Sequence, residues 1–428
     1  MAEASLVRPD RRFVEEIIAS GGGDLKQCMQ CANCSVVCQL ADGRAPFPRK
    51  EMVWAQWGLK DRLFADPDPW LCHQCNDCSL HCPRGARPGD VLAAIRRRTV
   101  EHYAWPRFLA RWVNRAALLP VAFLAPVVLL ALALLAREPL ESVFQFHEHP
   151  GFYAEFFPHW LLIGFFVLFT GLAFAGAVAG MARFWRAMRA ADQAAGTCAP
   201  VSALPASLLR TLRSILVHDR FARCGARHSR RLAHLGLFYG FLALYVVTLW
   251  AVIDIYVNPS LFGIASRYPF DLMHPMKVLA NIGGAALILG ALKVTLDRRG
   301  TGPATGASSY FDWILIGLLL AVGITGFAAE VLRFAAEPAP PAWLRTLAWS
   351  VYFVHLVLVF QLLVYMPWSK FAHVLDRAVA MVYAEHTGRH PAVAPLALPA
   401  PARTRKGITD ASSALQLVAH TRQETATR

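Results

Sequence analysis

Residues 28–38 read CMQCANCSVVC and residues 72–83 read CHQCNDCSLHCP. Each run spaces its cysteines as C-x2-C-x2-C-x3-C, and Pro83 follows the second. The doubled spacing is that of two-cluster ferredoxins. Three cysteines spaced by two residues wrap one corner of a cubane, and the fourth, after the wider gap, reaches the other cluster. The pattern predicts one [4Fe–4S] cluster on Cys28, Cys31, Cys34 and Cys82 and another on Cys72, Cys75, Cys78 and Cys38. Zinc sites use two CxxC pairs at longer separation rather than this run twice. Gln39 stands where a proline would follow Cys38, a small departure. His73 and His81, inside the second run, read as neighbours of the cluster and not as ligands. Cys198 and Cys224 have no partner spacing and read as structural or incidental.

Outward from the cysteines, Phe13, Val14, Ile17 and Ile18 recur at helical spacing over Arg11–Ile18, and Gly21, Gly22 and Gly23 stop that helix. Between the runs, FPRKEMVWAQWGLKDRLF (47–64) reads as a helical connector broken at Gly58. Residues 91–116 are basic and interleaved with Trp105 and Trp112, which predicts an interfacial helix over 101–116.

The remaining chain is apolar. Of 428 residues, 56% are hydrophobic and 17% charged, against about 25% charged in a soluble domain. Mean hydropathy is +0.37. Disordered and wholly soluble chains are excluded. Six windows of spanning length lie at about 117–136, 160–180, 232–253, 276–296, 311–332 and 347–368. The first begins too late for a secretory leader, so the cysteine domain stays in a reducing compartment. The 181–231 loop holds ten arginines, whereas 137–159 and 254–275 hold one each. The positive-inside rule then puts both termini and the cysteine domain in the cytoplasm. The net charge of +14 reflects those loops and does not indicate nucleic acid.

Histidines within membrane spans are costly and functional by default. His355 lies in the last window and His373 follows it at a separation of five helical turns, ~27 Å. On one helix they would face the same side, with Pro367 bending it between them. This suits two stacked b haems. His234–His373 is predicted for the cytoplasm-proximal haem and His274–His355 for the distal one. His159 competes for the distal position, and His147 and His149 read as solvated in the outer loop. Groups able to serve a quinone are His159, Asp271, Lys277, Asp312, Glu330 and Arg333, and the sequence does not choose among them. No GxGxxG follows a strand, so nucleotide chemistry belongs to partners.

With both halves read, the chain resembles a known family. CMQCANCSVVC, the connector and CHQCNDCSLHCP look like the iron–sulfur C subunit of heterodisulfide reductase. HLVLVFQLLVYMPWSKFAH (355–373) is similar to the cytochrome b subunits of heterodisulfide reductase (its E subunit) and nitrate reductase (its gamma subunit). Their fusion, with CPRGARPGDV and YFDWILIGLLLAVGITGFAAEVLR, resembles the C subunit of quinone-interacting membrane-bound oxidoreductase complexes. The resemblance implies two flavoprotein partners, the A and B subunits, similar to the A subunit of heterodisulfide reductase. It also implies adenylylsulfate reductase as electron partner in dissimilatory sulfur metabolism.

The expected fold is mainly α: a ferredoxin-like two-cluster domain over 1–100, the interfacial helix 101–116, a six-span cytochrome b bundle over 117–385 and a flexible cytoplasmic tail over 386–428. The expected function is electron transfer between membrane quinone and cytoplasmic partners, through one or two b haems and two [4Fe–4S] clusters, in the cytoplasmic membrane. The alternatives are membership of a heterodisulfide-reductase-type complex or a non-catalytic role as a membrane-anchored iron–sulfur assembly or sensor protein.

Overall fold

The computed structural model describes residues 8–41, 46–136, 152–196, 203–218, 228–257, 270–300, 306–336 and 340–389. Cys198, Cys224, His147, His149 and the tail from residue 390 lie outside them. Helices, with no strand, make up the regular structure of the described residues.

Asp10 caps α1 (Arg11–Ala19), accepting the Phe13 N–H at 3.0 Å, and Phe13 and Ile17 enter the core. The first cysteine run holds the short α2 (Asn33–Val36). The connector folds as α3 (Arg49–Gln56) and α4 (Lys60–Phe64). Gly58 breaks it as expected: its φ is +66, and a side chain there would strike the Asp10 backbone. α5 (Asp68–Leu71) leads into the second run, which holds α6 (Asp77–Leu80).

α7 (Pro88–Tyr103) and α8 (Arg107–Val113) replace the single interfacial helix expected over 101–116. Trp105 precedes Pro106, which pushes it out of helical geometry and separates the two. The expected boundary at residue 100 therefore falls inside α7.

Among the described residues, six helices are long and apolar enough to cross a membrane: Ala116–Leu135, His159–Ala194, Arg231–Val257, Pro275–Arg299, Tyr310–Ala336 and Ala342–Val364. The chain is a multi-pass membrane protein. In chain order the bundle comprises α9 (Leu119–Leu135), α10 (Phe152–Phe156), α11 (His159–Ala194), α12 (Leu204–Val217), α13 (His228–Val252), α14 (Pro275–Arg299), α15 (Tyr310–Ala336), α16 (Ala342–Val364) and α17 (His373–His386). Half of the most apolar window of α16 is buried, against 6% in the span containing α13, so α16 is the central helix. α9, α11 and α15 pack around it, and α14 joins α15 to α13. Gly240 and Gly290 bring α13 and α14 together so closely that a Cβ at either would strike the other helix's backbone.

Three expectations change. α11 runs on to Ala194, and with α12 it makes much of the 181–231 loop helical. α16 stops at Val364 and does not continue to residue 368 or carry His373. Pro367 lacks the N–H that would continue the helix, and the chain passes through two short 3-10 turns before α17 begins at His373. The tail does not become free at residue 386, because Arg389 is ion-paired to Asp192 and Asp66.

One core joins the iron–sulfur domain to the bundle. Phe13, Trp70 and Ile95 share it with Phe184 and Met188 of α11 and with Ala380 and Tyr383 of α17.

Candidate functional site

Cys28, Cys31, Cys34 and Cys82 line one open pocket. Cys38 lies instead among Cys72, Cys75 and Cys78. The two runs thus place their fourth cysteines next to each other's first three. Both runs curl alike: Gln30 and Ala32 in the first, Gln74 and Asn76 in the second, have left-handed φ of 61, 69, 53 and 67. In the second run this turns the Gln74 N–H onto Cys72 Sγ at 3.3 Å, and past Gly85, whose φ is 67, the Ala86 N–H meets Cys82 Sγ at 3.3 Å. Gln30 Nε2 donates to Cys28 Sγ at 3.3 Å. Burial pushes the Cys34 thiol up to about 11 and Cys38 up to about 12. Thiolates in such a setting need a positive centre beside them, which an iron–sulfur cluster provides.

Glu51, Asp66 and Asp68 also converge, close enough to hold a cation. Lys50 supplies it: its Nζ lies 3.2 Å from Glu51 and 2.7 Å from Asp66 and touches Asp68. Burial raises the Glu51 carboxyl, which limits the net charge of this core.

Helix α17 links the second cysteine run to the membrane histidines. His373 opens it, and one turn later Arg377 donates to the Cys72 carbonyl at 3.4 Å and to His73 Nδ1 at 3.1 Å. Arg377 thereby ties His73 to α17. His234 is close enough to His373 to act on it electrostatically, and Phe241 of α13 packs edge-on against Phe371 at 5.1 Å.

Three of the four expected haem ligands share one hydrogen-bonding arrangement. His373 Nδ1 donates to the Lys370 carbonyl at 2.7 Å. His355 Nδ1 donates at 2.9 Å to Thr325 Oγ1, whose own proton goes to the Ala321 carbonyl. His234 Nδ1 meets His218 Nε2 at 3.0 Å, and the His218 Nδ1 proton points to the Leu216 carbonyl, so His234 is the donor. Assigned from these bonds, all three carry the proton on Nδ1 and the lone pair on Nε2, the tautomer an axial ligand uses. Gly326 makes room for His355: a Cβ there would lie 3.2 Å from the ring.

His274 is arranged in reverse. It is the N-cap of α14, stacked on Phe270 at 4.2 Å, and its Nδ1 accepts the Met276 N–H at 3.3 Å. Its proton then sits on Nε2. His218 was not singled out by its sequence context. Its only sequence signal is a position between two basic stretches, before the span that carries His234.

Of the quinone candidates, the structure brings two together. Lys277 Nζ lies 3.0 Å from Glu330 Oε2, and Asn281 Nδ2 donates to Glu330 Oε1 at 3.3 Å. Arg333 lies over its neighbour Phe334 at 4.3 Å. Asp271 is exposed in the turn that leads into α14, and His159 is half-buried at the start of α11. Asp312 sits at the opposite end of α15, bonded to Ser309 and to Lys370 at 2.8 Å.

A model of the 4Fe-4S dicluster domain matches residues 24–86, and one described as Citrate utilization protein B matches residues 113–394. A protein of Archaeoglobus profundus described as similar to the C subunit of heterodisulfide reductase is 38% identical over 105 residues, 24% of this chain and 56% of that protein. Citrate utilization protein B of Escherichia coli is 27% identical over 338 residues, 73% of this chain and 80% of that one. The E subunit of dihydromethanophenazine:CoB–CoM heterodisulfide reductase of Methanosarcina acetivorans is 28% identical over 159 residues, 35% of this chain and 56% of that one. The chain spans about half the length of the heterodisulfide reductase subunits it matches. No solved structure matches. The chain therefore joins an iron–sulfur domain like the C subunit of heterodisulfide reductase to a membrane domain like its E subunit, and it belongs to the Citrate utilization protein B family.

Proposed function

We propose that this chain is the membrane electron-transfer subunit of an oxidoreductase complex, moving electrons between membrane quinone and cytoplasmic partners. The observation that carries the reading is α17, which starts at His373 and, one turn on, holds the backbone of Cys72 through Arg377. One short helix thus connects the membrane histidines to the second cysteine run.

The donor sets fit the groups implied. Cys28, Cys31, Cys34 and Cys82 would hold one [4Fe–4S] cluster, and Cys72, Cys75, Cys78 and Cys38 the other. His234 and His373 would hold a b haem at the iron–sulfur end, and His355 a second one deeper in the bundle. When bound, these groups supply one-electron carriers. The chain's own residues orient them: His218 fixes the His234 ring, Thr325 the His355 ring and the Lys370 carbonyl the His373 ring. His274 would have to give up its cap bond to serve as the second ligand on the His355 haem, and we assign it to the far end of the bundle instead. The clusters and both termini face the cytoplasm in this reading. The partners there are flavoproteins similar to the A subunit of heterodisulfide reductase, with adenylylsulfate reductase as electron partner. A second reading rests on the long match to Citrate utilization protein B: an oxidoreductase of citrate utilization takes the partner's place.

The test is a reduced-minus-oxidised optical spectrum of the purified protein, with pyridine haemochrome and non-haem iron quantitation. A b-type α band beside about eight non-haem irons, two cubanes' worth, is expected. Intact clusters without haem would overturn the cytochrome part and favour an anchored iron–sulfur protein without quinone chemistry.

A further inference from the structure

We propose that Lys277, Asn281 and Glu330 form the quinone headgroup site, at the end of the bundle farthest from the iron–sulfur domain. The inference rests on the electron-transfer reading above and gives its membrane substrate a place.

The three side chains form a compact polar cluster between two spans, with Lys277 and Glu330 keeping 21% and 14% of their side-chain exposure. Ionisable groups within spans are costly and mark substrate or proton paths. A second such cluster, Asp312 with Lys370 and Arg298, already has a structural task. It ties α15 to the turn before α17, and the loop leading into α15 docks on the iron–sulfur domain through Ala307 N–H and Asp90 at 3.0 Å. The Lys277–Glu330 pair joins only two neighbouring spans, α14 and α15, which already pack along their length.

Position supports the assignment. On α15, Glu330 lies five residues beyond Thr325, ~7.5 Å along the axis, and Thr325 holds the His355 ring. Along the axis, Glu330 is therefore about one and a half turns beyond the residue that holds the histidine proposed to ligate the second haem, and it is turned toward α14. On α14, His274, Lys277 and Asn281 follow at i, i+3 and i+7, on one face. Apolar Val278, Ile282 and Val331 flank the cluster at 40%, 64% and 63% exposure, a lipid-side surface along which an isoprenoid tail can lie.

The chemistry balances. Oxidation of a quinol releases two electrons and two protons. The electrons go singly to the one-electron carriers of the chain. The Glu330 carboxylate accepts the first hydroxyl proton, and the second passes to water at the same membrane face. Lys277 and Asn281 donate to the ring oxygens and hold the headgroup in place. Reduction of a quinone runs the same steps backwards.

The test is a fluorescence-quench titration of the purified holoprotein with 2-heptyl-4-hydroxyquinoline N-oxide, a quinol analogue, alongside haem content and haem reduction by a soluble menaquinol. Glu330→Gln and Lys277→Gln are expected to weaken binding about tenfold or more, the loss of one charge-assisted hydrogen bond, with haem content unchanged. The charge-swapped pair Lys277→Glu with Glu330→Lys restores the link between α14 and α15 but not the placement of donor and acceptor, so it should stay weak. If menaquinol reduces the wild-type haem while all variants bind the analogue as tightly as wild type, this placement is overturned and the quinone reading stands. If wild type neither binds the analogue nor is reduced, both fall.

Discussion

At the end of the bundle that carries the iron–sulfur domain, the contacts are directional. Asp312 accepts from the Ser309 N–H at 3.0 Å and hydroxyl at 2.8 Å and pairs with Lys370. Asp192 takes the Tyr383 hydroxyl at 2.7 Å, and Arg377 grips Cys72 and His73. At the far end aromatic packing prevails, pinned by two hydrogen bonds, from the Tyr153 hydroxyl to the Ala329 carbonyl and from Trp349 Nε1 to the Phe152 carbonyl. Tyr153 stacks on Tyr352 at 4.3 Å and Phe156 on Trp349 at 5.4 Å, with Leu130, Leu134 and Leu356 around them. Hydrogen bonds and ion pairs fix distances, which suits a fixed path between redox groups. Stacked rings fix contact but tolerate small slides, which suits an end that admits a ligand from the lipid. The polar cluster around Glu330 stands out against that apolar setting.

The comparison can be broken from either side. Trp349→Ala removes the centre of the aromatic end and should cost about 3–5 kcal/mol, read as thermal unfolding in detergent. A cost below about 1 kcal/mol would mean that the stack does not hold that end together. Asp312→Ala should cost less, about 2 kcal/mol for the lost charge-assisted hydrogen bonds, because Lys370 keeps a fifth of its side-chain exposure. It should loosen the iron–sulfur domain first, seen as faster amide exchange in residues 306–312 and in α7. Equal loosening at both ends would erase the distinction. Arg377→Gln is the subtlest. Removing a cation beside Cys72 should lower the potential of one cluster by about 40 mV, or ~1 kcal/mol for one electron. Arg377→Lys should recover part of the shift, and the other cluster should not move. A shift shared by both clusters would argue for a general loosening of the domain.

The iron–sulfur domain was legible because the spacing within each cysteine run is local: a cubane fixes how far apart neighbouring thiolates can lie along the chain. The spans were legible for a similar reason, since bilayer thickness sets their length. What escaped reading depends on neighbours brought together by folding. The separation of His355 from His373 counted as five turns of one helix, but Pro367 ends α16 and starts a new direction. His218 carries no motif, and its bond to His234 exists only because the C-terminal end of α12 meets α13. Asn281 could have been found, as it follows Lys277 by one turn on the face that His274 begins. That it meets Glu330 rather than lipid is decided by how α14 packs on α15.

Helix α11 has a further consequence. Its 36 residues span ~54 Å, well beyond a ~30 Å hydrocarbon layer, and it is unbroken from His159 to Ala194. Near one end Trp160 is exposed at the membrane edge. Near the other, Phe184 and Met188 are embedded in the iron–sulfur core and Asp192 is tied to Tyr383 and Arg389. The helix acts as a mast, setting the height of the clusters above the bilayer. It cannot slide to suit a thinner or thicker membrane without pulling Arg183 into hydrocarbon or Phe184 out of its core. Changes in bilayer thickness are then met by tilting the molecule as one body, which reorients the surface offered to soluble partners but leaves the spacing of the redox groups intact.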